Sequence, residues 1–412
     1  MATSSFEKDI VIVGGGIIGC TSAYFLSRHP SFDPIKHRIT LLEASQIAGG
    51  ASGKAGGLLG LWAYPNCIVP LSFRLHSELA AEHGGEDRWG YRRIHCGSLE
   101  AQGRALQRLT GEVKQDQRSN AISLQKKDNL GAPKPKSDDL PEDLDWVSPE
   151  VSPDYSEMGT PENTAQVHPY QFTTAMAQLA EERGVKTVLG SVSSMDTSGK
   201  AVKSVTYNDK KTSQSHTIPA TDVVITAGPW TQRVFPPAPI SAMRAHSVTI
   251  KSSEPISAYA LFTSISLPPD FGKTDTFVKS KRPSGKVVSP EIYARPGNEA
   301  YACGEGDKLV PLPKTTEDVV TDDSRCQDII DYVSSISDEL RDGEVTARQA
   351  CYLPLGGPLI GQTGVKGMLM AAGHTCWGIQ NGPASGKLIS ELVFDGKAKS
   401  ANIASLDPRK EM

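Results

Sequence analysis

Asp9–His29 reads DIVIVGGGIIGCTSAYFLSRH, a short β-branched apolar run, a glycine-rich turn and then a stretch of helix-compatible apolar residues. Strand, tight loop and helix are predicted in immediate succession. Gly14, Gly16 and Gly19 fit G-x-G-x-x-G, which permits a tight turn, close approach of backbone to a pyrophosphate, and close packing of helix on strand. Ile17 and Ile18 open the helix. After the link SFDPIKH, the run RITLLEAS at 38–45 predicts a second buried strand ending in an acid, so the unit is βαβ. Glu43 lies about two dozen residues past the glycines, where a carboxylate takes ribose hydroxyls, with Ala44 and Ser45 beside it. A dinucleotide site follows. A Glu without a nearby Arg argues against a 2′-phosphate, while FAD and NAD stay equal on this motif alone.

The bulk properties narrow the class. A chain of 412 residues exceeds the size at which one core stops growing, so two unequal domains are expected. Composition is ordinarily globular, and a net charge of −4 without a Lys/Arg run argues against nucleic-acid binding. The cysteines (Cys20, Cys67, Cys96, Cys303, Cys326, Cys351, Cys376) are scattered without Cys-x-x-Cys, and the histidines include no HExxH or H-x-H. Reduced thiols and no metal site are expected. No G-x-S-x-G elbow supports a serine triad. The stretch MATSSFEKD is polar and acidic where a signal peptide is basic then apolar, and the first apolar run is too short to span a bilayer. No Asn-x-Ser/Thr sequon occurs, and DPRKEM is no organelle address. A cytoplasmic protein with no transmembrane segment is expected.

Further along, QIAGGASGKAGGLLGLW at 46–62 reads as a packed glycine-rich loop, Pro70–His83 as a helix, and WGYRRIHCGSLEA at 89–101 as strand with turns. Residues 118–141 mix charge, Pro and Gly without periodicity and read as a flexible surface insertion. From His168 a helix stopped by Gly184 leads to an alternating strand, and TDVVITAGPW at 221–230 ends another buried strand in glycine. Residues from about 240 to 341 show strand-like runs suited to an antiparallel sheet. The stretch MLMAAGHTCWGIQNGPASGKLISELVFDG at 368–396 reads as strand, glycine-rich turn and helix.

Separated segments now share a resemblance. VIVGGGIIGCTSAYFL with LLEAS, GGASGKAGGLLG, TDVVITAGPW and AAGHTCWGIQNGPASGKLISEL, in this order, resemble the glycine oxidase, sarcosine oxidase and D-amino-acid oxidase group, the DAO family of FAD oxidoreductases. The resemblance implies an α/β fold: a Rossmann-like FAD-binding domain of the GR2 type interleaved with an α+β substrate domain on a mostly antiparallel sheet. The FAD-binding part would take 1–70, 165–238 and 345–412, and the substrate part 71–164 and 239–344. It implies contacts from Ala51, Ser52, Lys54, Gly56, Gly57 and Leu58 to the pyrophosphate and ring. Ala227, Gly228 and Trp230 would lie against the dinucleotide, and Val192 would give a backbone contact to the adenine. Gly373, His374, Gly378, Ile379 and Gln380 would face the flavin pyrimidine edge, where helix amides stabilise negative charge on the reduced ring.

The chain departs from the family at one place. Many amino-acid-oxidising members carry an Arg-Pro before a Gly-x-Pro turn, the Arg clamping the substrate carboxylate, whereas residues 347–361 read ARQACYLPLGGPLIG. Cys351 and Tyr352 stand about where that Arg falls, and Arg348, three residues earlier, points to the opposite strand face. Sarcosine-oxidase-like members bond a cysteine near here to the flavin. Cys351 is therefore a candidate thioether, and Cys376 a weaker one, although a buried structural cysteine and non-covalent FAD are favoured. His374, Tyr352 and Arg295 are the catalytic candidates; Trp62 and Tyr293 are pocket candidates, and His246 reads as a packed histidine. The expected activity is oxidation of a small-molecule substrate, an amine or N-modified amino acid, by hydride transfer to flavin N5, with oxygen or another acceptor closing the cycle. The alternatives are an FAD dehydrogenase of a hydroxy acid or polyol, and a flavin-containing adaptor with little catalysis.

Overall fold

Ile10 to Val13 are buried on both faces of a sheet, as a continuous β-branched run requires: Ile10 and Ile12 join one apolar core, Val11 and Val13 another. The computed structural model in which this is seen describes residues 6–106, 140–269, 271 and 286–412. The expected insertion at 118–141 lies outside the described residues except for Leu140 and Pro141.

Strand Lys8–Val13 sits at the centre of an eight-stranded sheet. It pairs in parallel with His37–Glu43 on one side and Asp222–Ile225 on the other. Lys186–Asp196 and Met368–Ala372 continue the parallel run outward. Antiparallel strands at Ser204–Asp209, Ser215–Pro219 and Leu359–Gln362 finish its edges.

Helices Ile17–Leu26, Val69–His83, Pro169–Glu181 and Gly378–Phe394 contribute to the core on the Ile10 face. The first and last of these meet at backbone distance. Thr21 Oγ1 donates to the Gly382 carbonyl at 2.8 Å, and a Cβ added to Gly386 would stand 2.4 Å from the Thr21 carbonyl carbon.

A second sheet runs in the order Glu344–Leu355, Ser241–Lys251, Glu299–Asp307, Glu291–Arg295, Tyr259–Ser266, His95–Gln102, Asp154–Gly159. Its neighbours are antiparallel except Tyr259–Ser266 with His95–Gln102. Strand alternation sorts its faces. Ile292, Ala294, Ala300 and Ala302 join one core, while Tyr293, Tyr301 and Cys303 turn the other way toward Leu58. A small sheet of Leu58–Gly60, Thr164–Gln166 and Arg92–Arg93 lies beside that face.

Two helices depart from the strand-like reading of 240–341, Asp323–Ser334 and the short Asp338–Arg341, and the first is the longer. Its buried Cys326, Ile329 and Val333 recur at three and four residues, and the Asp322 side chain caps its first amides. No helix among the described residues is long and apolar enough to cross a membrane. Cys20, Cys67, Cys326 and Cys351 are free thiols.

Several histidines serve as packing groups. His76 Nε2 bonds the Ile379 carbonyl at 3.0 Å, His246 Nε2 accepts the Asp322 amide at 3.1 Å, His374 Nε2 meets Ser385 Oγ at 2.9 Å, and His168 caps helix Pro169–Glu181. Burial holds the His76, His168 and His246 rings down to about 4 and His374 to about 3, against 6.5 in water. The unfolded chain therefore takes up protons that the folded chain refuses, so this stability is whole above about pH 6.5 and is lost as pH falls toward the folded values.

Two outcomes follow from this packing. Gly386→Ala forces the first and last helices apart and costs about 1–3 kcal/mol, read as a lower urea midpoint; an unchanged midpoint would mean that the helices have slack. Melting temperature falls between about pH 6.5 and about pH 5, above the main carboxylate range, and falls less in His246→Gln, because that ring no longer protonates on unfolding. A flat profile in that window would mean that these rings are in contact with water.

Candidate functional site

A cavity of about 540 Å³ opens at the C-terminal ends of the parallel strands, where open α/β sheets bind ligands. The strand order sets its wall from one end to the other: Gly190–Val192, then Leu42–Ala44, Val13–Gly14, Thr226–Gly228 and Ala371–His374. Gly14 adopts φ +117° and a Cβ there would lie 2.5 Å from the Thr226 carbonyl oxygen. A Cβ on Gly19 would lie 1.8 Å from the Gly14 carbonyl oxygen, so the helix seats on the turn only because residue 19 is glycine. Gly228, at φ +52°, would present a Cβ to open space, so its lack of a side chain keeps room in the cavity. Ser52 Oγ accepts from the Ile17 amide at 2.9 Å. Glu43 accepts from the Gly15 amide at 2.7 Å and from the Ser45 amide at 2.8 Å, which fixes the carboxylate at the rim.

Most of the predicted contacts converge here. Gly14, Gly16, Ile17 and Ile18 line the cavity, as do Glu43, Ala44, Ala51, Ser52 and Val192. So do Ala227, Gly228, Trp230, Gly373, His374, Gly378 and Ile379. The others sit elsewhere. Gly19 is behind the turn, and Ser45 bonds Glu43 and Thr316. Lys54 Nζ donates to the Ala350 carbonyl at 2.9 Å. Gly56 presses on the Tyr293 ring, Gly57 on the Val167 carbonyl, and Leu58 packs with Tyr293 and Tyr301. Gln380 Oε1 accepts from the Gly60 amide at 2.9 Å. Cys351 is buried outside the cavity lining, and burial pushes its thiol up to about 11.

The three catalytic candidates are not brought together. His374 lines the cavity at 2% exposure, and its Nδ1 has no hydrogen-bond partner among the described residues. The Tyr352 hydroxyl donates instead to the carbonyls of Val310 and Pro311, each at 3.1 Å. Arg295 is held by Glu299 at 3.0 Å and the Ala55 carbonyl at 2.6 Å, with its guanidinium 4.9 Å from the Tyr301 ring. Trp62 donates to Thr164 Oγ1 at 3.1 Å and packs edge-on to Trp377.

The sequence reading missed lining residues of two kinds. Gly49, Gly50, Ala55, Gly190, Ser191, Thr226 and Thr375 adjoin predicted positions in sequence, while Cys376, the weaker thioether candidate, does line the cavity. Lys314, Thr315, Thr316, Leu353 and Pro354 come from the second sheet and the segment after it. The Thr315–Asp318 capping box marks a turn in the sequence, but no local signal says that it lies over a distant cavity.

Comparison with known proteins agrees with this architecture. The family described as FAD dependent oxidoreductase, DAO, matches residues 9–392. TDA3 of Saccharomyces cerevisiae, a protein named as an oxidoreductase, is 37% identical over 523 residues, spanning 98% of this chain and 95% of that protein. C1F5.03c of Schizosaccharomyces pombe, likewise named, is 35% identical over 423 residues, spanning 98% of each. Glycine oxidase from Geobacillus kaustophilus superposes with a TM-score of 0.67 at 18% identity, covering 97% of this chain and 98% of that one. L-proline dehydrogenase from P. horikoshii superposes with a TM-score of 0.67 at 16% identity, covering 98% of each. The structural likeness speaks for the fold, and the family match for the chemistry. The chain belongs to the DAO family of FAD-dependent oxidoreductases.

Proposed function

We propose that this protein oxidises a small amine or N-modified amino acid with FAD held non-covalently in the cavity. The observation that carries the reading is the wall order itself. A strand segment at Gly190–Val192, just past the parallel pairing of its strand, a carboxylate at Glu43, a glycine turn with helix amides at Gly16–Ile18, and an apolar end at Ala371–Ile379 fit adenine, ribose, diphosphate and fused ring in turn. When bound, FAD supplies a two-electron acceptor for a hydride from the carbon beside the substrate nitrogen, and oxygen or another acceptor restores it.

The chain's own residues bind and orient. Glu43 takes the ribose hydroxyls, and the amide end of the first helix, with Ser52 beside it, takes the diphosphate. The Gly378 and Ile379 amides and the neutral His374 ring, with its unpartnered Nδ1, meet the polar edge of the ring. Ala55, Leu353 and Pro354 wall off water. Discontinuous units at 1–70, 165–238 and 345–412, and at 71–164 and 239–344, divide cofactor and substrate binding between them. The cytoplasm is the proposed compartment.

The arginines support the choice of substrate. Arg348 is spent on Gln327 Oε1 at 2.6 Å and the Asp323 carbonyl, Arg295 on Glu299 and Ala55, and Arg244 on Asp307. None of the three is left as a bidentate carboxylate clamp, which favours recognition through the amine. Glycine oxidase and L-proline dehydrogenase, to which the fold is similar, are named for substrates of the wider amino-acid class. The raised thiol of Cys351 and its place outside the cavity support a non-covalent cofactor.

The visible spectrum before and after acid precipitation tests the cofactor: flavin colour is expected in the supernatant. Colour in the pellet would overturn the non-covalent reading, and a protein left colourless after FAD addition would overturn the function. Glu43→Ala is expected to raise the Kd for FAD by roughly 10- to 100-fold, the loss of a charge-assisted pair of hydrogen bonds. Under anaerobic conditions, N-methylated amino acids are expected to bleach the flavin faster than the corresponding primary amino acids. Bleaching by hydroxy acids alone would replace this reading with the hydroxy-acid dehydrogenase.

A further inference from the structure

We propose that residues 308–321 form a strap that closes over the dinucleotide cavity and supplies Lys314 as a cation for the diphosphate, so that the strap sets how tightly FAD is held and how slowly it leaves. This rests on the reading that the cavity takes FAD.

The strap is rooted in the second sheet. It leaves strand Glu299–Asp307, where Asp307 Oδ1 accepts the Leu309 amide at 3.0 Å, and it returns at helix Asp323–Ser334. Its roots are buried and charged. Arg244 pairs with Asp307 at 3.3 Å and donates to the Val320 carbonyl at 3.4 Å, Arg325 lies 3.6 Å from Asp307, and His246 accepts the Asp322 amide.

Between those roots the chain crosses to elements of the first sheet. Trp230 Nε1 donates to the Pro313 carbonyl at 2.7 Å, and the Arg233 guanidinium donates to the same carbonyl at 2.8 Å and to that of Leu312. Lys210 pairs with Glu317, and Ser45 Oγ bonds Thr316 Oγ1. These contacts reach both sides of the cavity, because Lys210 also donates to the Ser45 carbonyl at 2.8 Å and Trp230 lines the opposite turn.

The seating is close. A Cβ on Gly49 would stand 2.7 Å from Thr316 Oγ1, so a side chain at that position would push the strap off. The capping box between Thr315 and Asp318 fixes the turn that sets Lys314, Thr315 and Thr316 in the cavity wall.

Charge then assigns the role of Lys314. The charged side chains in the described lining are Glu43, Arg233 and Lys314. Glu43 is an anion, and Arg233 is committed to strap carbonyls. Lys314 has no hydrogen bond or ion pair among the described residues and stands exposed at the cavity mouth. A diphosphate brings two negative charges that helix amides alone offset only in part, and a lysine serves phosphate as a movable point charge. A ligand entering or leaving must lift Lys314 and Thr316, which means breaking the polar anchors on Trp230, Arg233, Lys210 and Ser45.

The test uses the intact protein loaded with FAD, its flavin release followed by fluorescence after dilution and its Kd measured by titration over a salt series. Lys314→Ala is expected to raise the Kd for FAD roughly tenfold and to flatten its salt dependence, with Lys314→Arg restoring both. Glu317→Gln is expected to speed release about threefold or more by loosening the strap. ADP and adenosine serve as competitors: Lys314→Ala weakens ADP and leaves adenosine unchanged. A wild-type protein that holds FAD while Lys314→Ala keeps the same Kd and release rate overturns the strap. Equal weakening of ADP and adenosine overturns the phosphate role. A wild-type protein that takes up no FAD overturns the proposed function instead.

Discussion

The approach of the first helix to the first strand is the contact on which the rest depends. Gly19 lies so near the Gly14 carbonyl that no side chain fits at residue 19, the Thr226 carbonyl leaves none at residue 14, and this brings the helix's amide end to the strand end. The same helix then carries Thr21, whose hydroxyl and backbone receive Gly382 and Gly386 of the last helix. Because that last helix is docked at backbone distance, its own amide end and the Gly373–His374 turn arrive at the other end of the same cavity. One tight glycine contact and its continuation thus place two helix N-termini, far apart in sequence, on a single elongated site.

The second sheet contributes differently. Its inner face, carrying Tyr293, Tyr301 and Cys303, packs on the Gly56–Leu58 loop, so the loop that follows Ser52 is held from both sides. Arg295 pins the loop's start through the Ala55 carbonyl, and Lys54 pins it to Ala350. Alternation along Glu344–Leu355 separates Cys351 and Leu353 from Tyr352. That is why Leu353 reaches the cavity while the Tyr352 hydroxyl turns to the strap carbonyls.

Much of this was legible in the sequence because the signals were local. The glycine spacing, the β-branched strand before it and the acid at the second strand end all lie within residues 9–45, and short-range sterics make that pattern a βαβ unit. The helix at Asp323–Ser334 was missed although Asp322 and the Cys326–Ile329–Val333 spacing mark it, because the neighbouring strand-like runs hid that periodicity. Lys314 and Thr316 were not legible. Nothing in PLPKTTEDVV states which distant surface it will cover, because their place comes from Trp230, Arg233 and Lys210, far away in the chain. Gly56, Gly57 and Leu58 show the converse limit. Their apolar, glycine-rich composition suits either a ligand or a neighbouring element, and in the fold Gly56 and Leu58 meet the second sheet's tyrosines while Gly57 meets the Val167 carbonyl.

The electrostatics of the cavity follow from geometry more than from titration. His374 stays neutral across the ordinary pH range because burial denies its charged form water, and burial likewise keeps the Cys351 thiol protonated. An anionic ligand there meets fixed dipoles at Gly16–Ile18 and Gly378–Ile379 with the Lys314 cation at the mouth. Fixed dipoles do not change with the reaction or the medium, so they hold a cofactor equally well through a catalytic cycle. A cation on a strap can be withdrawn, and therefore controls arrival and departure. Retention and orientation are thus assigned to different parts of the chain, the glycine turns orienting and the strap retaining.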